Sequence, residues 1–358
     1  MRAAVLYEVG RDLEVDEVEL SGPGPGQVRV ALAASGVCHS DLSLMDGTLP
    51  SSLPSVLGHE GAGVVTEVGP QVEQVAPGDH VVISWIGPCR RCHFCLSGQP
   101  VLCEHGMDHV FSGPYGTWRG RPVSAGLGTA TFAEETVVPE ACAVRIDPEF
   151  PLGLACLVGC GVVTGVGAVL NAARVRPGSS VAVVGCGGVG LAALQGARLS
   201  GASPIIAVDR VPAKLEMARR HGATDTVLAE DDPVAAVMEL TGRGVDYAFE
   251  VVGSSRTIAQ AYAMARRGGT VTVVGAGRFD DPVSLGALGL MLDAKVVQGC
   301  VYGSTDPQRD FPRMLELARA GLLDLEALVT RRIRLEEVNS AFRAMQAGEV
   351  ARSVIELG

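Results

Sequence analysis

The sequence predicts an α/β protein of two domains, one β-rich and N-terminal, the other built on a doubly wound parallel sheet. Three observations carry that expectation. A chain of 358 residues is longer than one ordinary core supports. Its first 160 residues are short β-type runs broken by Gly and Pro, such as "QVRVALAASGV", "GAGVVTEVG", "GDHVVIS" and "FAEETVV". From about residue 165, strand-like runs ("SVAVVG", "PIIAVD", "YAFEVVG", "GTVTVVG") alternate with helical segments such as "GLAALQGARLSG" and "VPAKLEMARRHG". That alternation implies parallel strands joined by crossover helices. After "VVQGCVYG" the pattern is helical again ("FPRMLELARAGLL", "LEEVNSAFRAMQAG"), and the chain ends in a short strand, "RSVIEL".

Composition narrows the function. Hydrophobic residues make up 47% and charged residues 19%, with 46 Gly, which suits a folded chain rich in turns. The formal charge of −11 argues against a nucleic-acid-binding surface. The start, "MRAAVLYEVGRDLEV", lacks the apolar stretch of a signal peptide. The longest apolar runs, such as "LVGCGVVTGVGAVL", are broken by Gly and too short to span a bilayer, so no membrane is expected. These features place the chain in the cytoplasm, where disulfides are uncommon. The ten cysteines need another explanation.

Four of them stand in "CRRCHFCLSGQPVLC". Cys89, Cys92, Cys95 and Cys103 give C-x2-C-x2-C-x7-C. Tight C-x2-C knuckles bring thiolates together with little loss of chain entropy, and tetrahedral zinc takes four of them. The common iron–sulfur spacing C-x2-C-x2-C-x3-C-P is not met. Four thiolates fill the coordination sphere, so this zinc is expected to hold a loop and to take no part in chemistry.

The run "VAVVGCGGVGLAALQGA" carries Gly185, Gly187 and Gly190 in G-x-G-x-x-G, with Gly188 inside the motif. It follows a buried strand and opens a helix, the context a dinucleotide pyrophosphate requires. The next strand ends at Asp209, where a carboxylate accepts the adenosine ribose hydroxyls and repels a 2′-phosphate. NAD is expected over NADP, although Arg210 follows directly and could hold a 2′-phosphate.

A second metal site is suggested by Cys38, His39, Asp41, His59 and Glu60 in one β-rich segment, with Cys160 just ahead of the nucleotide domain. A catalytic zinc needs three protein ligands and an open position, and Cys38, His59 and Cys160 would supply Cys2His. Spacing alone does not assemble the trio, because Cys160 is a hundred residues from His59. A lone cysteine beside Gly is more often a small core residue.

The motifs "GVCHSD", "GHEGAGVV", "CRRCHFCLSGQPVLC", "GCGVVTG" and "VVGCGGVG" stand in one order over essentially the whole chain. In this the sequence resembles the zinc-dependent medium-chain alcohol dehydrogenase family, most closely its liver-type branch and bacterial relatives. The resemblance implies a GroES-like catalytic domain at 1–161, completed by 302–358, and a Rossmann NAD-binding domain at 162–301. It implies two zincs per chain, one structural and one catalytic on Cys38, His59 and Cys160, with Glu60 as a transient ligand. Asp41 would orient the zinc-bound histidine, and Ser40 would take the substrate's proton. Thr164 and Val189 would pack beside nicotinamide, Asp209 and Lys214 would meet the adenosine ribose, and His39 and Arg352 the pyrophosphate. Gly188 and Val274 are grouped with these coenzyme contacts. Leu49, Trp85, Leu127 and Ala276, together with Val274, would line an apolar substrate pocket.

The same resemblance implies a homodimer, or alternatively a homotetramer, acting on a small alcohol or aldehyde. Zinc would lower the pKa of the alcohol and hydride would pass to NAD. Primary, medium-chain or aromatic alcohols are the expected substrates. One alternative is a formaldehyde-removing enzyme that oxidises a hydroxymethyl-thiol adduct, with Arg119 and Arg121 as candidate anion contacts. Another is a non-catalytic zinc- and NAD-binding redox sensor. One position departs from the liver-type pattern: the proton relay there ends in histidine, and Ser43 stands in its place.

Overall fold

The computed structural model describes residues 1–111, 113, 115–230 and 232–358. The chain divides into two compact units. The first comprises Met1–Cys160, Asp306–Arg319 and Val329–Gly358, and the second Gly161–Thr305 and Ala320–Leu328.

The first unit is built on two sheets. One has six short strands, in the order Glu14–Glu17, Arg2–Leu6, Ser55–Val56, Arg121–Ala125, Gly116–Trp118 and Glu19–Leu20. The other runs Ala143–Arg145, His80–Ile83, Glu60–Val68, Gln27–Val37, Arg352–Glu356 and Val329–Ile333, and Glu135–Pro139 also pairs with Gln27–Val37. The Gln27–Val37 strand is its backbone. Its first seven residues alternate between half-buried and buried, and its last four are all buried. One face therefore packs Val28, Val30 and Leu32 against Val65, Val81 and Ile83, as a period of two requires. The C-terminal strand Arg352–Glu356 lies antiparallel beside it, with Ser353 opposite Val37. Residues from the two ends of the chain thus share one sheet.

The second unit is a six-stranded parallel sheet. Its order is Asp225–Leu228, Ile205–Asp209, Val181–Val184, Val245–Glu250, Ala265–Val273 and Val296–Gly299. Numbered along the chain this is 3-2-1-4-5-6, the doubly wound dinucleotide-binding order. Val181–Val184 is buried throughout, as a central parallel strand covered on both faces must be. Ile206, Val208, Ala248, Met264 and Val271 form much of the core around it. The fifth strand begins earlier than "GTVTVVG" suggests, at Ala265. Its added residues include Arg266 and Arg267, and Arg266 Nε donates to Asp246 Oδ1 at 2.6 Å, tying that extension to the neighbouring strand. Among the described residues no single helix is long and apolar enough to cross a membrane.

Candidate active site

In the first unit, strand register assembles the buried donor cluster. Cys38 follows directly on the Gln27–Val37 strand, which pairs antiparallel with Glu60–Val68 so that Gly36 faces Glu60. His59, one residue before that pair, is brought beside Cys38. Cys160 arrives from far along the chain because Gly159 lets the backbone come close. A Cβ on Gly159 would lie 2.9 Å from the Ile83 carbonyl oxygen and 3.4 Å from Glu60 Cα. The ligand atoms of Cys38, His59, Glu60 and Cys160 all lie within 4.8 Å of one another, and all four residues are buried.

The neighbours of this cluster fix its chemistry. Cys38 is the N-cap residue of the His39–Met45 helix, yet its side chain does not cap it, so the sulfur is turned to other partners. Asp41, in the first turn of that helix, is fully buried and accepts from both His59 Nδ1 and Gly58 N at 3.0 Å. With Nδ1 turned to Asp41, Nε2 is the ring nitrogen left for the cluster, and it is sealed from solvent. Burial acts to lower the His59 pKa, but the Asp41 carboxylate and the Cys38 thiolate outweigh it and push it up to about 10. The Cys38 thiol is held well below its usual range, first by a hydrogen bond from Cys160 and then by His59 against the opposing effect of burial. Two thiols, an imidazole and a carboxylate gathered in a dry pocket are short of positive charge. Such a donor set fits a soft divalent cation, with zinc as the first choice.

The Glu60 carboxylate forms an ion pair with Arg352, and both side chains are almost wholly buried. Register accounts for the pair, since Ser353 lies opposite Val37 on one side of the strand while Glu60 lies opposite Gly36 on the other. Gly36 is required there: a Cβ would strike the Glu60 carboxylate and come within 3.2 Å of Arg352 Nη2. Arg352, expected at the pyrophosphate, is thus bound to Glu60 in this structure. His39 is exposed and Ser40 half-exposed, with Ser40 Oγ 3.9 Å from Cys38 Sγ. Ser43 is buried on the same short helix. Leu49 and Leu127 pack on one hydrophobic cluster with Leu57 and Phe132, and Trp85 is half-buried.

The second donor cluster of this unit is Cys89, Cys92, Cys95 and Cys103, whose sulfurs also lie within 4.8 Å of one another. Cys103 Sγ accepts from the backbone N–H of Cys89 at 3.2 Å and of His105 at 3.4 Å. Burial pushes the Cys103 thiol up, and these two amide donors pull the other way, toward the thiolate a metal binds. A backbone hydrogen bond from Cys95 draws Cys92 down to about 6. Arg90, inside the loop, has φ of +61° and is held by a two-point ion pair with Asp306 at 2.6 and 2.8 Å.

In the second unit the glycine turn has the expected form. Gly185 has φ of +98°, and Gly187, extended, is the N-cap residue of the Gly188–Leu199 helix. A Cβ on Gly187 would meet nothing within 4 Å, so the backbone is open to an incoming group. A Cβ on Gly190 would collide with the backbone of Gly185, which is why the helix can sit tight on the turn. Asp209 is buried and already serves the turn: Oδ2 accepts from Cys186 N at 2.7 Å and Oδ1 from Val211 N at 2.9 Å. A carboxylate offers about four lone-pair sites, so capacity for ribose hydroxyls remains. Val189, Lys214 and Val274 are half-buried, Ala276 is exposed, and Thr164 is buried with its hydroxyl unpartnered among the described residues. Arg210 is exposed.

Residues 24–148 match the alcohol dehydrogenase GroES-like domain, and residues 188–320 match the zinc-binding dehydrogenase domain. Over 99% of its length the chain is 40% identical to an S-(hydroxymethyl)glutathione dehydrogenase of Escherichia coli, of which it covers 99%. The chain belongs to the zinc-dependent medium-chain alcohol dehydrogenase family. Solved structures of the family agree in fold. A zinc-binding alcohol dehydrogenase domain protein from Burkholderia ambifaria has a TM-score of 0.94 at 36% identity, covering 100% of this chain and 98% of that one. Benzyl alcohol dehydrogenase from Acinetobacter calcoaceticus has a TM-score of 0.93 at 35% identity, covering 100% and 99%.

Two features lie outside what motif reading reaches. The Glu60–Arg352 pair depends on which strands are neighbours. The other is Glu250, a fully buried carboxylate at the end of the fourth strand of the second unit. The charge interrupting the apolar run "YAFEVVG" was the available signal for it.

Proposed function

We propose that this zinc- and NAD-dependent alcohol dehydrogenase interconverts primary alcohols, of medium chain length or aromatic, with their aldehydes. Cys38, His59 and Cys160 hold the catalytic zinc, and Cys89, Cys92, Cys95 and Cys103 the structural one. When bound, the zinc supplies Lewis acidity that lowers the pKa of an alcohol, and NAD supplies the hydride acceptor. Asp41 keeps the His59 ring in one tautomer and one orientation. Arg352 neutralises Glu60, so that a second anion beside the thiolates is tolerated. Ser40 Oγ, half-exposed, takes the alcohol proton and passes it outward. Ser43 cannot finish that relay as a base at neutral pH, so water receives the proton. Gly185, Gly187, Gly188 and Gly190 receive the pyrophosphate at the helix N-terminus, and Asp209 excludes a 2′-phosphate.

The observation that carries the substrate class is the fate of Arg119. An anionic thiol adduct needs a cation at the pocket rim, and Arg119 is one of two candidates. Its guanidinium pairs with Glu14 and Asp16, each at 2.8 Å, and stacks over Trp118 at 4.4 Å. Arg121, the other, is exposed. The apolar residues Leu49, Trp85 and Leu127 then suit a neutral alcohol. The alternative, an S-(hydroxymethyl)thiol substrate, is favoured by the likeness to the Escherichia coli enzyme. NADH formation with benzyl alcohol, medium-chain primary alcohols and the formaldehyde–glutathione adduct separates the two. The highest kcat/KM is expected with the neutral alcohols; a higher value with the adduct overturns the assignment.

The chain works as a homodimer. The edge strand Val296–Gly299 and the nearby Ala287–Asp293 helix expose Val296, Val297, Leu288, Met291 and Leu292. An open apolar edge invites strand pairing, and a second copy across a two-fold axis closes it with the same edge. A homotetramer would need a further surface. None of the ten cysteines is in a disulfide, which suits the reducing cytoplasm. An acidic chain with no single membrane-length helix among the described residues suits a small-molecule partner, with neither nucleic acid nor membrane.

A further inference from the structure

Glu250 ends the Val245–Glu250 strand and is fully buried. One of its carboxylate oxygens does an unusual amount of bonding. Oε1 accepts from Val252 N at 2.9 Å, from Gly253 N at 2.8 Å and from the Thr257 hydroxyl at 2.7 Å. The other, Oε2, is sealed from solvent without a partner among the described residues. Burying a carboxylate is costly, and three donors on one oxygen recover only part of that cost. A fold that needed only a turn could take it from glycine and backbone hydrogen bonds.

The position of that turn gives the carboxylate a purpose. Glu250 pairs with Val184, the last residue before Gly185. Val251 N donates to Val184 O at 2.9 Å, so the two strands end level. Val252, whose amide Glu250 holds, lies against the glycine turn: a Cβ on Gly185 would meet Val252 Cγ2 at 2.7 Å. On the other side, the Glu250 carbonyl accepts from Val274 N at 2.8 Å and Gly275 N at 3.1 Å. Gly253 there packs on Ala276, with a Cβ at Gly253 reaching 2.6 Å from Ala276 C. Glu250 therefore sits at the junction of three strand ends, where an open α/β sheet binds its ligand. One side chain fixes the 251–253 turn, and that turn forms a wall of both the phosphate turn and the 274–276 segment.

We propose that Glu250 is a positioning residue for the coenzyme. Its carboxylate holds the 251–253 turn in the one placement that leaves Gly185 and Val274 set to receive NAD. This rests on the assignment of the glycine turn as the NAD site. It predicts that the charge of Glu250, and not merely its bulk, is reflected in coenzyme affinity.

Glu250→Gln is close to isosteric: its amide oxygen can replace Oε1 and its NH2 the unpartnered Oε2. Thr257→Val keeps the carboxylate and withdraws one donor. Both are measured as zinc-loaded enzyme, by NADH fluorescence titration, by steady-state KM for NAD and kcat, and by thermal midpoint and zinc content. In Glu250→Gln the NADH Kd and the KM for NAD should rise by about tenfold, because the three donors then face a neutral oxygen and lose their charge assistance, with kcat much less affected. Zinc content should stay unchanged. Thr257→Val should shift the same constants in the same direction by less, with little change in midpoint. An unchanged Kd and KM in both variants overturns the role of Glu250 while leaving the NAD site intact. So does a loss confined to thermal midpoint, which marks a purely structural carboxylate. Should Glu250→Gln fail to fold, Thr257→Val decides alone on the same criterion. Failure of the wild-type enzyme to bind NADH, or retention of affinity in Gly187→Val, would instead defeat the underlying coenzyme assignment.

Discussion

Replacing Arg352 with Met tests how much the first unit depends on one buried charge pair. Arg352 and Glu60 are 6% and 0% exposed, so water screens neither. Removing one partner of such a pair costs about 3–5 kcal/mol, because the other is left charged and desolvated. Relaxation offers little relief. Gly36 packs against both side chains, and the Cys38 and Cys160 sulfurs lie within 4.8 Å of the Glu60 carboxylate, adding negative charge. For a unit of this size each kcal/mol moves the thermal midpoint by about 2–4 °C, so a fall of roughly 6–20 °C is expected. Glu60→Gln in the same background should recover most of the loss, because the uncompensated charge is then gone. The assay is a double-mutant cycle of midpoints on zinc-loaded protein, with zinc content measured on every variant. A single-variant fall under about 1 kcal/mol, or strictly additive effects, would refute the account of Glu60 as a carboxylate dependent on Arg352.

Metal analysis should find two zincs per chain in wild-type protein. Cys160→Ser should keep one zinc and the fold while abolishing turnover, whereas Cys95→Ser should lose the other zinc together with thermal stability. Asp209→Asn should raise the NADP-over-NAD ratio of kcat/KM by more than about tenfold, since a like-charge clash costs several kcal/mol; a wild-type ratio above one would show that Arg210 overrides Asp209. Ser43→His should speed alcohol oxidation near pH 7 and matter less at alkaline pH, because imidazole accepts a proton near neutrality and serine does not. Pre-steady-state hydride transfer followed across that range checks it, and coincident pH profiles would show a proton route independent of residue 43.

The fold was legible because its signals are local. Short β-runs broken by Gly and Pro, then strands alternating with helices, are patterns of a few residues each. They located four of the six strands of the second unit's sheet, although the fifth starts early, and they leave out the two edge strands, Asp225–Leu228 and Val296–Gly299. Arg266 and the glycines after it carry no strand propensity, and the pairings of Ala265 with Val245 and of Arg266 with Asp246 draw them in. Residues 320–328, which group with the second unit, show no pattern of their own. Gln195 holds them there, its amide bonding both the N–H and the carbonyl of Asp324 at 2.7 and 3.0 Å.

Donor residues and their counter-charges differ in how they can be read. Cys89 to Cys103 announce themselves by spacing, because one loop supplies all four ligands. Cys38, His59 and Cys160 needed the family's motif order, since two of the contacts between their segments are made by strand register and by the bare backbone of Gly159. The charges that make such sites tolerable are further removed. Arg352 is nearly three hundred residues from Glu60, and only the antiparallel seating of the last strand beside Gln27–Val37 brings them together. Glu250 and Glu60 look alike in sequence, each an acid beside a buried strand and near glycine. One meets a guanidinium beside two thiols; the other meets two amides and a hydroxyl beside a glycine turn. A buried carboxylate takes its role from whatever donors surround it, and here those donors come from different strands and turns. The motif names the metal and the coenzyme, while register and close packing decide which charges can be left in the dark beside them.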